Sequence, residues 1–276
     1  MQDVIMNDIA LGIIISQAMI IPLALKWELE LKVVIPAGLV IGLLAGLGIR
    51  VLSPWLGEEL FWRVAVGMAL VGILSTITLL MRFYRDPVRI PPEGEHLIVS
   101  PADGLVKYIK RIDENTVPDS TKGNECVTLA PPFLDILPNR NGYLVGIGMS
   151  FLDVHVTRSP INGTMTFCEH VPGKFMSLKK PEALSQNERV NQVVKNTRYG
   201  VGVIHIASRL VRRIVTYTRK DDRLKTGQKI ALITFGSQVD VVVPKLEGLQ
   251  LTIGVGDKVF AGETIIAQIV HSAADR

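Results

Sequence analysis

The sequence predicts an α+β protein in which a mainly β soluble domain follows a set of N-terminal transmembrane helices. Three observations carry this expectation. Residues 9 to 81 are strongly apolar, whereas 84 to 276 have mixed charge and Gly/Pro punctuation. The apolar part divides into three runs without an internal charge. The remainder breaks into short β-like runs between turn signals, with no βαβ rhythm.

The three runs are 9–25, 33–49 and 64–81, bounded by Asp8 and Lys26, by Lys32 and Arg50, and by Arg63 and Arg82. Each is close to the shortest stretch, about 17 residues, that crosses a hydrocarbon core. The acidic N-terminus, with Asp3 and Asp8, does not suit a cleavable signal peptide. Residues 1–83 are therefore expected to be a membrane anchor of two or three helices, and 84–276 a separate domain. With three crossings the ends lie on opposite sides. Arg82, Arg85 and Arg89 then place the large domain on the cytoplasmic face of the cell membrane, while Arg50 and Arg63 fall on the other side beside Glu58 and Glu59.

In the second part the β-like runs are 96–99, 215–217, 230–234, 239–243 and 264–269, separated by turns such as Pro101-Ala102-Asp103-Gly104 and Lys225-Thr226-Gly227-Gln228. Gly254-Val255-Gly256-Asp257-Lys258-Val259 with Gly262-Glu263-Thr264 resembles the barrel-sandwich pattern of lipoyl and biotinyl domains. The lysine such domains modify at a hairpin tip is missing, so the segment reads as structural β packing.

A formal charge of +4 and no basic run interleaved with aromatics argue against nucleic acid as a partner and favour an anionic lipid surface. The two cysteines, Cys126 and Cys168, have no metal or redox spacing and read as ordinary thiols in a reducing compartment. No HExxH or HxH motif occurs, so no metal is expected. A P-loop, a GxGxxG after a strand and a GxSxG elbow are also missing. His205, in an apolar run, reads as a packed core residue.

Three segments carry candidate chemistry, and each has an ordinary reading beside it. Phe235-Gly236-Ser237 lies between two β-like runs: a serine hydroxyl beside a glycine carbonyl can attack it, or the pair is a hairpin turn. In Asp153-Val154-His155-Val156-Thr157-Arg158-Ser159-Pro160, period 2 puts His155 on one face with Asp153 and Thr157, as an acid or base or as a solvated strand residue. In Ser100-Pro101-Ala102-Asp103-Gly104, Asp103 either caps its own turn or completes a Ser/His/Asp arrangement.

Taken together these segments resemble the phosphatidylserine decarboxylase proenzyme family in its short bacterial and archaeal form. The resemblance covers 82–276. Besides the three segments it includes Arg82-Phe83-Tyr84-Arg85-Asp86-Pro87, Asn162-Gly163, Val171-Pro172-Gly173-Lys174-Phe175, Asn187-Glu188-Arg189, Arg212-Arg213-Ile214 and Gly227-Gln228-Lys229-Ile230. Thr234 stands where these enzymes often carry Arg. Longer relatives have a second His where this chain has Arg158, so His155 fills alone any role the two share.

The resemblance implies a zymogen that cleaves itself between Gly236 and Ser237. Ser237 attacks the Gly236 carbonyl, and His155, oriented by Asp103, takes the serine proton. The resulting ester eliminates and hydrolyses to a covalent pyruvoyl group derived from Ser237. The products are a large subunit 1–236 and a small subunit 237–276. The pyruvoyl carbonyl would form a Schiff base with phosphatidylserine in the bilayer and accept the electrons left by loss of CO2, giving phosphatidylethanolamine. A sibling activity on archaetidylserine or another serine lipid is equally compatible with these residues. From a different class, a noncatalytic membrane-tethered adaptor is the competing reading. A homodimer is compatible with the sequence, which does not fix the oligomeric state.

Overall fold

The computed structural model describes residues 2–27, 29–56, 59–113, 131–174, 186–207, 214–233 and 238–270. The chain divides into two compact units, Met1–Phe83 and Tyr84–Arg276.

The first unit is three helices, α1 (Gln2–Lys26), α2 (Leu31–Leu56) and α3 (Leu60–Phe83). Each is long and apolar enough to cross a membrane, over 7–26, 31–56 and 60–83. The helices run several residues beyond the apolar runs, because their ends take in polar residues such as Lys26 and Arg82. Where lipid surrounds helices, apolar side chains provide little drive to associate, and close backbone approach takes over. Gly38, Gly42 and Gly46 supply it: a Cβ on Gly42 would lie 2.6 Å from the Ile13 Cα, and one on Gly46 2.6 Å from the Ile9 Cα. These contacts make α1 and α2 antiparallel. Ser16 Oγ adds a hydrogen bond to the Gly38 carbonyl at 2.6 Å. Asp8, buried at the start of α1, pairs with Arg63 at the start of α3 at 3.2 Å, so α1 and α3 run parallel.

The second unit is mainly β, with a short helix, α4 (Pro131–Leu134). Its strands are β1 (Leu97–Val99), β2 (Gly104–Ile112), β3 (Gly142–Gly148), β4 (Val156–Arg158), β5 (Gly163–Val171), β6 (Arg189–Lys195) and β7 (Gly200–Ile206). They continue as β8 (Ile214–Thr216), β9 (Arg223–Leu224), β10 (Lys229–Ile233), β11 (Gln238–Pro244), β12 (Leu249–Leu251), β13 (Lys258–Val259) and β14 (Ile265–Ile269). An eight-stranded sheet has the order β13-β2-β3-β11-β7-β6-β5-β9, and two three-stranded sheets have the orders β1-β14-β12 and β4-β10-β8. The described residues form the expected α+β domain.

Strand β11 lies inside the large sheet, paired antiparallel with β3 and with β7. Both of its faces are covered. Val239, Val241 and Val243 enter the main core with Ile98, Ile230 and Ile266 from the two small sheets. Val242 enters a second core with Leu144, Ile204 and Phe133 of α4. A strand buried on both faces reads as a nearly continuous apolar run, as Val241-Val242-Val243 does.

Candidate active site

Backbone hydrogen bonds lace two of the candidate segments, 100–104 and 153–160, to the turns at 227–228 and 262–264. The Arg158 N–H donates to the Pro101 carbonyl at 2.8 Å and the Ser159 N–H to the Gln228 carbonyl at 2.7 Å. In return the Gly227 N–H donates to Ser159 at 2.9 Å, and the Val99 N–H to Pro160 at 3.0 Å. The Ser100 N–H meets the Thr264 carbonyl and the Gly262 N–H meets the Ser100 carbonyl, both at 2.7 Å. Turns far apart in sequence thus form one hub at the mouth of β4 and β10.

Asp103 is buried in this hub, and its charge is matched. Arg89 grips both carboxylate oxygens, at 2.8 and 3.1 Å, and the Ala261 N–H donates to Oδ1 at 2.7 Å. The same guanidinium reaches Glu263 at 2.6 Å and lies over the Phe260 ring. Burial nevertheless raises the Asp103 pKa above its ordinary value, outweighing the Ala261 N–H, Arg89 and the Val154 N–H; the negative charge of Asp153 adds to the rise.

His155 is fully buried just before β4. Its Nδ1 lies 2.9 Å from the Asp153 carbonyl. A carbonyl only accepts, so the assigned tautomer carries its proton on Nδ1 and leaves the Nε2 lone pair as the basic site. Burial pulls the imidazole pKa down to about 4, aided by the positive charge of Arg85 and opposed by the Asp153 carbonyl and carboxylate. Burial thus favours the neutral form of the ring.

Asp103 is tied to the chain segment that carries His155. The Asp103 carboxylate bonds to Arg89, to the Ala261 N–H and to the N–H of Val154, the residue before His155. The Asp153 carbonyl supports the imidazole at Nδ1, and Asp103 holds the backbone one residue before it. The Asp153 carboxylate turns elsewhere, to the Ser150 N–H at 2.7 Å and toward Lys258.

Ser237 and Gly236, with Thr234 and Phe235, lie outside the described residues, as do Arg212, Arg213 and Phe175. Both flanks of the 234–237 segment are fixed. On one side the Ile233 N–H donates to the His155 carbonyl at 3.1 Å. On the other, Gln238 pairs with Gly148 and Ile206, and its side-chain amide donates to Tyr108 Oη at 2.9 Å and to Asp240 Oδ1 at 2.7 Å.

Sequence reasoning missed the residues that clamp the hub. Arg158 donates to the Gly227 carbonyl at 3.0 Å, to Asp86 at 2.6 Å and to the Pro87 carbonyl at 3.1 Å; Asp86 also pairs with Lys229. All belong to segments already singled out, but no spacing rule links positions 86, 158 and 229. His205 is buried as expected, and it is also hydrogen-bonded. Its Nε2 lies 2.9 Å from the Thr157 hydroxyl, which in turn reaches the Ala231 carbonyl at 3.1 Å, pinning β4 between β7 and β10. Cys168 is a free thiol.

The family model described as phosphatidylserine decarboxylase matches residues 77–267, which takes in every described part of this site. Two archaeal relatives, from Methanothermobacter thermautotrophicus and Methanocaldococcus jannaschii, are each 39% identical to the chain, over 209 and 197 residues. Those alignments cover 73% and 71% of this chain and 86% and 93% of the relatives, both named provisionally as archaetidylserine decarboxylase proenzymes. A phosphatidylserine decarboxylase proenzyme from Novosphingobium aromaticivorans is 34% identical over 237 residues, 85% of this chain and 86% of its own length. The class these matches define is the serine-lipid decarboxylase proenzymes. The chain belongs to the phosphatidylserine decarboxylase family.

Proposed function

We propose that the chain is a membrane-anchored zymogen that cuts itself between Gly236 and Ser237 and, as the pyruvoyl enzyme, converts phosphatidylserine to phosphatidylethanolamine. The observation that carries this reading is the buried, neutral His155, tied through its own carbonyl to Ile233, four residues before Ser237. His155 Nε2 takes the proton of the Ser237 hydroxyl. The oxygen then bonds to the Gly236 carbonyl carbon, and the Gly236–Ser237 amide breaks to leave an ester. Elimination of that ester and hydrolysis by water release ammonia and leave the pyruvoyl group on the 40-residue fragment 237–276.

A neutral base with a fixed tautomer, and a following residue held rigidly on β11, suit the formation of such a group. The pyruvoyl carbonyl supplies an electron sink for the pair left when CO2 departs. His155 in its protonated form then returns a proton to the carbon that lost CO2. Asp103 supports the loop that carries His155.

In this reading α1–α3 span the membrane and hold the domain at the cytoplasmic face. The pairing of Arg63 with Asp8 supports that orientation, because it neutralises a cation on the other side. The packing of the β1-β14-β12 sheet on the large sheet is read as barrel-sandwich-like. A homodimer is compatible with this reading.

Intact mass of the wild type and of Ser237→Ala tests the proposal. Wild type should appear as two chains divided before residue 237, the small one with a pyruvoyl terminus, while Ser237→Ala stays whole. A folded, uncut, unmodified wild type would sink it in favour of the adaptor reading. A second substrate is favoured by the archaeal relatives, which have the higher identity. Turnover of diester- and diether-linked serine lipids side by side decides: preference for the ether lipid would make this chain an archaetidylserine decarboxylase.

A further inference from the structure

The segment after α3 has two chemically different sides. From Tyr84 to Ile90 exposure alternates with each residue: Tyr84, Asp86, Val88 and Ile90 are exposed, and Arg85, Pro87 and Arg89 are half-buried, the pattern of an extended strap. The inward side is committed to the site, where Arg89 holds Asp103 and Glu263, and the charge of Arg85 acts on His155. The outward side leaves two branched aliphatic side chains almost wholly in water, Val88 at 91% and Ile90 at 81%. Tyr84 also borders, with Tyr217, an open cleft of about 460 Å³ lined by Val156, Leu232, Asp86 and Lys229. Both tyrosines are exposed.

One exposed aliphatic is ordinary. Two on a seven-residue strap, beside two exposed tyrosines, ask for an apolar neighbour. The neighbour follows from chain continuity. The strap begins at the residue after Phe83, where α3 ends, and successive Cα atoms are about 3.8 Å apart. When α3 crosses a bilayer, the strap emerges at head-group level, where tyrosines are enriched and arginines meet anionic lipid.

We propose that the outward face of the strap, Tyr84, Val88 and Ile90, together with Tyr217, is a bilayer-contact surface, with the two aliphatic side chains entering the acyl boundary. The proposal rests on the reading of α3 as membrane-spanning and, for its use in turnover, on the serine-lipid reading above. It adds that the strap whose Arg89 grips Asp103 seats the domain on lipid with its other side.

Spin labels test this without any turnover. Val88→Cys, Ile90→Cys and, as a reference, Glu93→Cys are placed in full-length chain carrying Cys126→Ser and Cys168→Ser. Each is reconstituted into vesicles of phosphatidylcholine and phosphatidylserine. Labels at 88 and 90 should collide preferentially with oxygen, and the label at 93 with a water-soluble nickel chelate. Free nickel access at 88 and 90 overturns the proposal. So does shielding from both reagents, which would mean a protein neighbour such as a second copy.

A kinetic arm addresses use. The double variant Val88→Ser, Ile90→Ser should raise KM for serine phospholipid in vesicles on the order of tenfold. KM for a short-chain serine phospholipid dispersed as monomers should stay the same. An equal effect on both substrates, or none, removes the strap from lipid access. A wild type that turns over neither substrate counts against the decarboxylase reading instead.

Discussion

Tyr108 Oη donates to Asp240 Oδ2 at 2.7 Å, joining β2 to the buried carboxylate of β11. The ring lies across β3, where a Cβ on Gly146 would come within 2.3 Å of it. Gln238 closes the triangle from the other side. Tyr108→Phe keeps the ring and removes the hydroxyl, leaving Asp240 with one donor fewer. The expected loss is about 1–3 kcal/mol of stability, read as a lower Tm of the detergent-solubilised protein. An unchanged Tm would mean that water replaces the hydroxyl without penalty.

Arg89 offers a sharper case. Arg89→Met deletes the fork that holds Asp103 and Glu263, leaving a buried carboxylate on two backbone N–H groups. Breaking a mostly buried pair from one side costs roughly 3 kcal/mol. Stability should fall by that order and self-cleavage should slow, since the Asp103 loop also anchors the Val154 N–H. Chemical denaturation and gel-resolved cleavage measure the two effects. Arg89→Lys, which keeps charge but not the fork, should recover only part of each.

Acid should destabilise this domain through its two buried histidines. His155 and His205 both have folded pKa values of about 4, lowered first by burial, against an ordinary value of 6.5. The unfolded chain therefore binds these protons more readily. The stability of keeping both rings neutral is complete above about pH 6.5 and drains away as pH falls toward 4. Each ring accounts for on the order of 3 kcal/mol across that window. Urea midpoints from pH 8 to 4 should fall, and His205→Gln should flatten the fall. A profile identical to wild type would show that His205 does not stay neutral in the fold.

In the first unit the test is steric. Gly42→Leu would press a side chain into the backbone of α1 at Ile13, and neither backbone can yield by turning a rotamer. The α1–α2 contact should open. Cysteines introduced as a pair at Gln17 and Gly38, where a Cβ on Gly38 would lie 2.9 Å from the Gln17 side chain, would report the change through cross-linking yield. Undiminished cross-linking would refute the packing.

Much of the fold was legible because short apolar runs between turns have few alternatives. The run 230–234 is β10 to within a residue, and 239–243 lies inside β11. Sheet order was not legible, since the β3-β11-β7 neighbours come from residues about 35 to 95 positions apart and no local rule specifies them. In the site, the period-2 argument placed His155 and Thr157 on one face, and both are buried. It could not foresee that the main chain of Asp153, not its carboxylate, would meet the imidazole. Nor could it foresee Arg89, whose partners at 103 and 263 are visible only once the turns converge.

The interior position of β11 has a further consequence for a chain cut before Ser237. The small piece would begin with a strand hydrogen-bonded along both edges to the large one, and continue into β12, β13 and β14, which are knitted into two sheets. Such pieces do not drift apart under native conditions. Once unfolded, however, they become two molecules that must find each other again, so recovery would depend on concentration and compete with aggregation. Maturation would turn a reversible folder into a one-way assembly whose lifetime is set by how slowly β11 is pulled out.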